Sequence, residues 1–412
     1  MKVFSPGLAP AVSLSETPQN APKQIFPSLQ FGSADSFTLN HTTPPSKSQI
    51  KFGLQRPIKT TPSDYVDTAL SFVRQDPNAR LLVSTDVDGT LTPFVPNVDD
   101  ANLTPQQTED LLRLARLLYT RFATPLVVNT GRDAVTAVNG LGGAEALLGQ
   151  PIIVITDQGL KGVDFQKTSR ANQADWVAFE VPGSEEIFEK IAPFKAAMLM
   201  QKDALASLGT GKYEEKAGGV AVNVGSLNIE QQNRVVETFI EEANNTGLSV
   251  NIEIDGFKND SPDADFRLVY EKAVVELKPN KFNKGTACEK ISEHFAEKLN
   301  APIISAFWGD SDTDNPGFKS APLLSLYVGS LYSTPTRWDG RASAIQNEMD
   351  IAAKYYFPNP RHTDGFDVLN PQTGRRDDDT RRDISLENTR QMHTMIDIFG
   401  KRLTELPKRF KI

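Results

Sequence analysis

The sequence predicts an α/β protein, a mainly parallel sheet that carries an inserted α+β segment. Three observations predict it. Short apolar runs of strand length alternate with stretches of helical periodicity from about residue 63 onward. Several of those runs end in polar or glycine-containing loops, the places where open parallel sheets gather ligands. Between Arg132 and Lys284 the chain also inserts far more residues than a single crossover needs.

Residues 1–62 are rich in Ser, Thr, Pro and Gln, as in LNHTTPPSKSQ, and show almost no periodicity, so they read as a disordered tail. Its basic residues (Lys2, Lys23, Lys47, Lys51, Arg56, Lys59) outnumber Glu16 and Asp35. A cytoplasmic chain is the expectation, with an organelle transit peptide as the minority alternative. Residues 63–161 supply the first part of the core, with strands Leu81–Ser84, Leu126–Val128 and Ile152–Ile155 and a helical run around Leu111–Tyr119.

Residues 162–276 form the inserted α+β domain. Helical stretches there contain Ile187, Phe188, Ile191 and Phe194, then Val236, Phe239, Ile240 and Ala243. Strands are expected at Val220–Val224, Leu248–Ile254, Phe266–Tyr270 and Ala273–Leu277. Because this domain leaves and rejoins the core, it is expected to sit as a lid over the strand ends. Residues 277–350 complete the core with Ile303–Phe307 and Leu323–Val328. In the extension 351–412, the run GRRDDDTRRD reads as a solvated linker. Met392, Met395, Ile396, Phe399, Leu403 and Leu406 then recur at the spacing of an amphipathic helix that docks on the main body.

Composition narrows the function classes. The 412 residues are 39% hydrophobic and 23% charged, ordinary globular usage. A net charge of −8 argues against a nucleic-acid or acidic-membrane partner. No apolar run approaches the roughly 20 residues of a membrane helix, and the start of the chain lacks a charged-then-apolar signal pattern. Cys288, the one cysteine, forms no internal disulfide. Oligomeric state is not legible.

The chemistry begins at LLVSTDVDGTLTPF, where an apolar run ends in Asp86 and Asp88. Like charges two positions apart repel, and a bound cation would offset them. A second acidic stretch, WGDSDTDNPGF, offers Asp310, Asp312 and Asp314 after another apolar run. Mg²⁺ takes carboxylate oxygens together with a substrate phosphate, which suits such a set. A calcium loop does not, since Asn315 and Ala321 stand where it needs Gly and Glu. GLGGAEALLG has Glu145 in place of the third glycine of a dinucleotide fingerprint, and GTGKY lacks the Ser or Thr of a phosphate loop. His41, His294, His362 and His393 form no metal-ligand spacing and read as structural or solvent-facing.

The ordered set DVDGT (86–90), NTGR (129–132), NKG (283–285) and GDSDTD (309–314) resembles the haloacid dehalogenase (HAD) superfamily of phosphotransfer enzymes over roughly residues 80–330. The resemblance implies a Rossmann-like core with a cap domain between the second and third motifs (class IIB). It implies that Asp86 is the phosphoryl-accepting nucleophile and Asp88 the general acid/base. Thr130, Gly131 and Lys284 would hold the phosphoryl oxygens, and Asp86, Asp88, Asp310 and Asp314 the Mg²⁺. Lys278 and Lys281 are the neighbouring alternatives to Lys284.

Within the superfamily the chain resembles the trehalose-6-phosphate phosphatase family. DGTLTPFVPNVDDANLT, YEEKAGGVAV and VVELKPNKFNKGTA carry that resemblance. It implies a hydrolase acting on a sugar phosphate, with Glu214, Lys216 and Glu276 as sugar contacts and Arg132 also binding substrate. Asn223, Gly225, Gln158 and Asn315 depart from the family pattern, which bears on the identity of the sugar. The rival readings are a sucrose-phosphate or other sugar phosphatase, a phosphomannomutase-like mutase, and a noncatalytic phosphosugar-binding regulator. Pro93-Phe94, where the mutases have an arginine soon after, favours hydrolysis.

Overall fold

A computed structural model describes residues 57–93, 101–271, 273–329, 332–333, 347–348, 351–358 and 378–406. Nearly all of the N-terminal tail, together with His41 and His362, lies outside the described residues.

The chain opens with β1 (Ile58–Lys59) and helix α1 (Pro62–Gln75). The hydroxyl of Thr61 accepts from the N–H of Asp64, and Pro62 sits where a missing N–H costs nothing. β2 (Arg80–Thr85) follows, buried along nearly its whole length as a central parallel strand must be. α2 (Pro105–Phe122) starts with a full capping box between Thr104 and Gln107. β3 (Leu126–Asn129), the short helices α3 (Ala134–Gly140) and α4 (Ala144–Leu147) and β4 (Ile152–Thr156) complete the first half of the core.

β5 (Lys161–Asp164) and β6 (Ala178–Glu180) then turn back antiparallel onto β4. Residues 162–180, expected to open the inserted domain, therefore extend the core sheet. Gly162 allows this, because a Cβ there would sit 2.3 Å from the Phe179 ring that covers it.

The inserted unit comprises α5 (Ser184–Ser207), β7 (Tyr213–Lys216), β8 (Gly219–Asn223), α6 (Ile229–Asn245), β9 (Val250–Ile252), β10 (Phe266–Glu271) and β11 (Val274–Pro279). Its strands form a separate sheet in the order β7-β8-β11-β10-β9. Val220, Val222, Leu268, Val275 and Leu277 bury one face of that sheet against Ile191, Phe194, Val236 and Phe239 of the two helices.

The chain returns through α7 (Lys284–Leu299), β12 (Ile303–Gly309), α8 (Asn315–Ser320) and β13 (Leu324–Val328). The two-residue strands β14 (Tyr332–Ser333) and β15 (Asn347–Glu348) pair with each other, and β16 (Tyr355–Phe357) joins the main sheet. Among the described residues that sheet has nine strands, in the order β1-β16-β13-β12-β2-β3-β4-β5-β6. All its pairings are parallel except those of β5.

Helix α9 (Asp378–Glu405) buries Met392, Met395, Ile396, Phe399 and Leu403 in the core formed with α1 and α2. Arg121 fastens it by donating to the carbonyls of Leu403 and Thr404. The charged run read as a linker is helical from Asp378 onward among the described residues. No described helix is long and apolar enough to cross a membrane.

Candidate active site

β2 lies between β3 and β12, so the sheet is extended in opposite directions on its two sides. At such a switch point the carboxyl ends of neighbouring strands leave a crevice. Asp86 follows β2, Thr130 follows β3 and Asp310 follows β12. These residues, distant in sequence, come to one rim because their strands are neighbours.

After β2 the chain folds tightly, with the N–H groups of Thr90, Leu91 and Thr92 all donating to the carbonyl of Val87. Gly89 takes a left-handed φ of +76°, and a Cβ at that position would meet Asp310 Oδ2 at 2.0 Å. Glycine thus lets the two acidic loops touch. The loop after β12 is closed by Asp314, whose Oδ2 accepts from the N–H of Asp310 (3.1 Å) and of Ser311 (3.2 Å).

Asp86, Asp310 and Asp314, all buried, each offer a carboxylate oxygen, and these atoms lie within 4.8 Å of one another. Into this cluster reaches Lys284, with Nζ 2.8 Å from Asp86 Oδ1 and 2.6 Å from Asp314 Oδ1. The lysine is placed by its helix. Asn283 caps α7 by accepting from the N–H groups of Gly285 and Thr286, and Asn129 Nδ2 donates to the carbonyl of Lys284. Of the candidate lysines, Lys284 has its ammonium among these carboxylates, whereas Lys278 lies in β11 beside Glu276.

Three carboxylates against one ammonium leave the cluster short of positive charge. Burial pushes the Asp86 carboxyl up to about 6; Lys284 opposes that rise, while Asp314 and Asp88 add to it. Burial opposes the charge on Lys284, yet Asp314 and Asp86 outweigh it and hold the ammonium well above its usual range. Hard oxygen donors with excess negative charge fit a divalent cation such as Mg²⁺. Asp86, Asp310 and Asp314 would hold it.

Asp88, which the resemblance places at the metal through its backbone carbonyl, directs its side-chain carboxylate to Arg132. Arg132 Nε donates to Asp88 Oδ2 (2.9 Å) and Nη2 to Oδ1 (2.5 Å). That two-pronged contact satisfies both carboxylate oxygens and keeps them out of the acidic cluster. Arg132, expected to bind substrate, is itself buried and holds Asp88 in this state. Thr130 is fully buried, its Oγ1 accepting from the N–H of Arg132 (3.2 Å), and Gly131 completes the turn between them.

On the inserted sheet, strand register aligns Glu214, Ala221 and Glu276 on one face, with Lys216, Gly219, Lys278 and Arg267 in the adjacent row. This polar face is opposite the one covered by α5 and α6. Lys216 Nζ lies 2.6 Å from Glu276 Oε1, with side-chain exposures of only 12% and 9%. Burial would raise Glu276, but Lys216 and Lys278 hold its carboxyl below the usual range. Glu214 lies 3.6 Å from Lys212 at the more open end of β7 and also favours the charge on Lys216. The sequence reading weighed Lys278 only as an alternative to Lys284 and missed its place beside Glu276. Only the alternation in VVELKP, which puts Glu276 and Lys278 on one face, hinted at it.

Asn315 also has a structural task, its Oδ1 accepting from the N–H of Ala352 (2.7 Å). His393 Nε2 lies 2.8 Å from the carbonyl oxygen of Leu91, tying α9 to the loop that carries Asp88.

The main sheet is a mostly parallel, Rossmann-like α/β arrangement with the candidate ligand-bearing groups at the carboxyl ends of its strands. A trehalose-6-phosphate phosphatase related protein is similar at 16% identity and TM-score 0.44, over 67% of this chain and 90% of that one. The C-terminal domain of the Candida albicans trehalose-6-phosphate phosphatase gives 16% and 0.44 over 74% and 94%. A HAD subclass IIB sugar phosphatase gives 14% and 0.35 over 68% and 93%. No protein-family model matches the sequence. No curated protein matches it either.

Proposed function

We propose that this chain is a Mg²⁺-dependent sugar-phosphate phosphatase that works through an aspartyl-phosphate, with trehalose 6-phosphate its preferred substrate. The observation that carries the reading is the group around Asp86: a buried carboxylate at a central strand end, with Lys284, Asp310 and Asp314 about it and Asp88 two residues on. A binding protein has no need of a second carboxylate at that spacing.

In this reading an oxygen of Asp86 attacks phosphorus while the bond to the sugar oxygen breaks, and Asp88 gives that oxygen a proton. Asp88, now ionised, takes a proton from water. The resulting hydroxide attacks the phosphorus of the aspartyl-phosphate, which releases phosphate and regenerates Asp86. Lys284 and the Thr130 hydroxyl stabilise charge on the transferring phosphoryl oxygens. Bound Mg²⁺ would supply further neutralisation of that charge. Arg132 orients Asp88 from one side through its paired contacts.

The inserted unit serves as the lid, and Glu214, Lys216 and Glu276 on its polar face contact the sugar. Phosphate release is measured from trehalose 6-phosphate, sucrose 6-phosphate and hexose monophosphates, with and without Mg²⁺. Metal-dependent release from trehalose 6-phosphate is the expected result. Absence of release from every ester, with binding retained, would replace this reading with a phosphosugar-binding regulator.

A further inference from the structure

The turn Asp157–Gly159 at the end of β4 touches the parts of the molecule that have to act together. The main-chain N–H of Asp157 donates to the carbonyl of Arg132 (3.1 Å), the residue that grips Asp88. Its Oδ2 accepts from the Thr156 hydroxyl (3.0 Å). Its Oδ1 accepts from the N–H of Ala217 (2.7 Å), in the turn between β7 and β8 of the inserted unit. Two residues on, Gly159 has φ +93° and packs so closely on Asn283 that a Cβ would lie 2.7 Å from the Asn283 carbonyl oxygen. Asn283 caps the helix that begins at Lys284. One turn therefore contacts the loop bearing Arg132, the helix bearing Lys284 and the strand end bearing Lys216.

The cost of this arrangement is visible in the backbone. Asp157 has φ +53°, a conformation uncommon for residues with a Cβ although Asp and Asn accept it more readily than most. The residue is only 6% exposed. A buried carboxylate in a left-handed turn needs compensation, and the Ala217 amide and the nearby charge of Lys216 supply it.

We propose that Asp157 is a positioning residue that latches the inserted unit to the core, holding the β7–β8 turn and Lys216 down and thereby fixing the leaving group the site accepts. The part concerning leaving groups rests on the phosphatase reading; the latch itself does not.

The test uses the full chain and two variants, D157G and D157N. D157G removes the acceptor while tolerating the left-handed backbone, and D157N keeps an amide oxygen but loses the charge. Hydrogen exchange is followed in peptides covering residues 213–223. Hydrolysis is measured with the sugar phosphate that wild type turns over and with p-nitrophenyl phosphate, whose small leaving group makes few demands on a lid.

D157G should speed exchange of the Ala217 amide about tenfold and raise KM for the sugar phosphate by a similar factor, the size expected for a lost charge-assisted hydrogen bond. Turnover of p-nitrophenyl phosphate should stay within about twofold. D157N should fall between wild type and D157G in both readouts. Wild-type exchange in D157G would overturn the latch whatever the kinetics. Should D157G not fold, D157N indistinguishable from wild type in exchange and KM would overturn it. A wild-type chain that hydrolyses no phosphate ester would refute the phosphatase reading, and the exchange result would still decide the latch.

Discussion

Glu276→Gln tests how the polar face of the inserted sheet is held together. Lys216 and Glu276 are 2.6 Å apart and almost fully enclosed, so their attraction is roughly 6 kcal/mol at an effective dielectric of about 20. Desolvation of the two ions cancels most of that, and the intact pair contributes little net stability. Removing one partner is different, because Lys216 stays buried with Lys278 on the same face and its closest carboxylate is gone. Such truncations cost about 3–5 kcal/mol. The low end, about 3 kcal/mol, is expected here, since Glu214 and Asp157 also favour the charged lysine. Replacing both residues by apolar ones, Lys216→Met with Glu276→Leu, should return stability to within about 1 kcal/mol of wild type. The pH dependence has a fixed sign. Glu276 titrates lower folded than unfolded, so its contribution is full at neutral pH and is lost as pH falls below about 4.5 through the folded-state value. Urea unfolding at constant Mg²⁺ concentration measures each variant. A loss in Glu276→Gln below about 0.5 kcal/mol would refute the argument, and so would a double variant no more stable than the single one.

Gly89→Ala should destabilise by at least about 1–2 kcal/mol from its left-handed backbone alone and displace Asp310, with Mg²⁺ affinity falling about tenfold or more by calorimetry. Asp88→Asn should lower turnover about 10²–10⁴-fold while Mg²⁺ binding changes little, since its carboxylate faces Arg132; an unchanged rate removes Asp88 from the chemistry. Mg²⁺ at about 100 times its dissociation constant should add about 2.7 kcal/mol to stability, read as a thermal shift that Asp310→Asn largely abolishes.

What the sequence made legible is what local pattern encodes. The runs containing Leu81–Val83, Leu126–Val128 and Phe307 were legible as strands because central parallel strands are apolar on both faces. Asp86, Thr130, Asp310 and Lys284 were legible as site candidates because each directly follows such a strand or opens a capped helix. β5 and β6 were not, since Lys161–Asp164 and Ala178–Glu180 are short and owe their state to pairing with β4 and each other.

Partner choice across the chain was the other illegible layer. The sequence presents Arg132 and Asp88 as two separate motif residues 44 positions apart, and only the adjacency of β2 and β3 makes them a pair. Asp157 carries no motif at all, and its contact with Ala217, sixty residues later, is visible only in the fold. The difference has a functional consequence. Groups fixed by strand ends are set by local chemistry and the core sheet, so substitutions there act on charge and metal binding. Groups that meet across the two sheets, as Asp157 and Ala217 do, depend on how the inserted unit is seated, so under the proposed reading a change at Asp157 acts on enclosure of the leaving group while the Asp86 cluster stays intact.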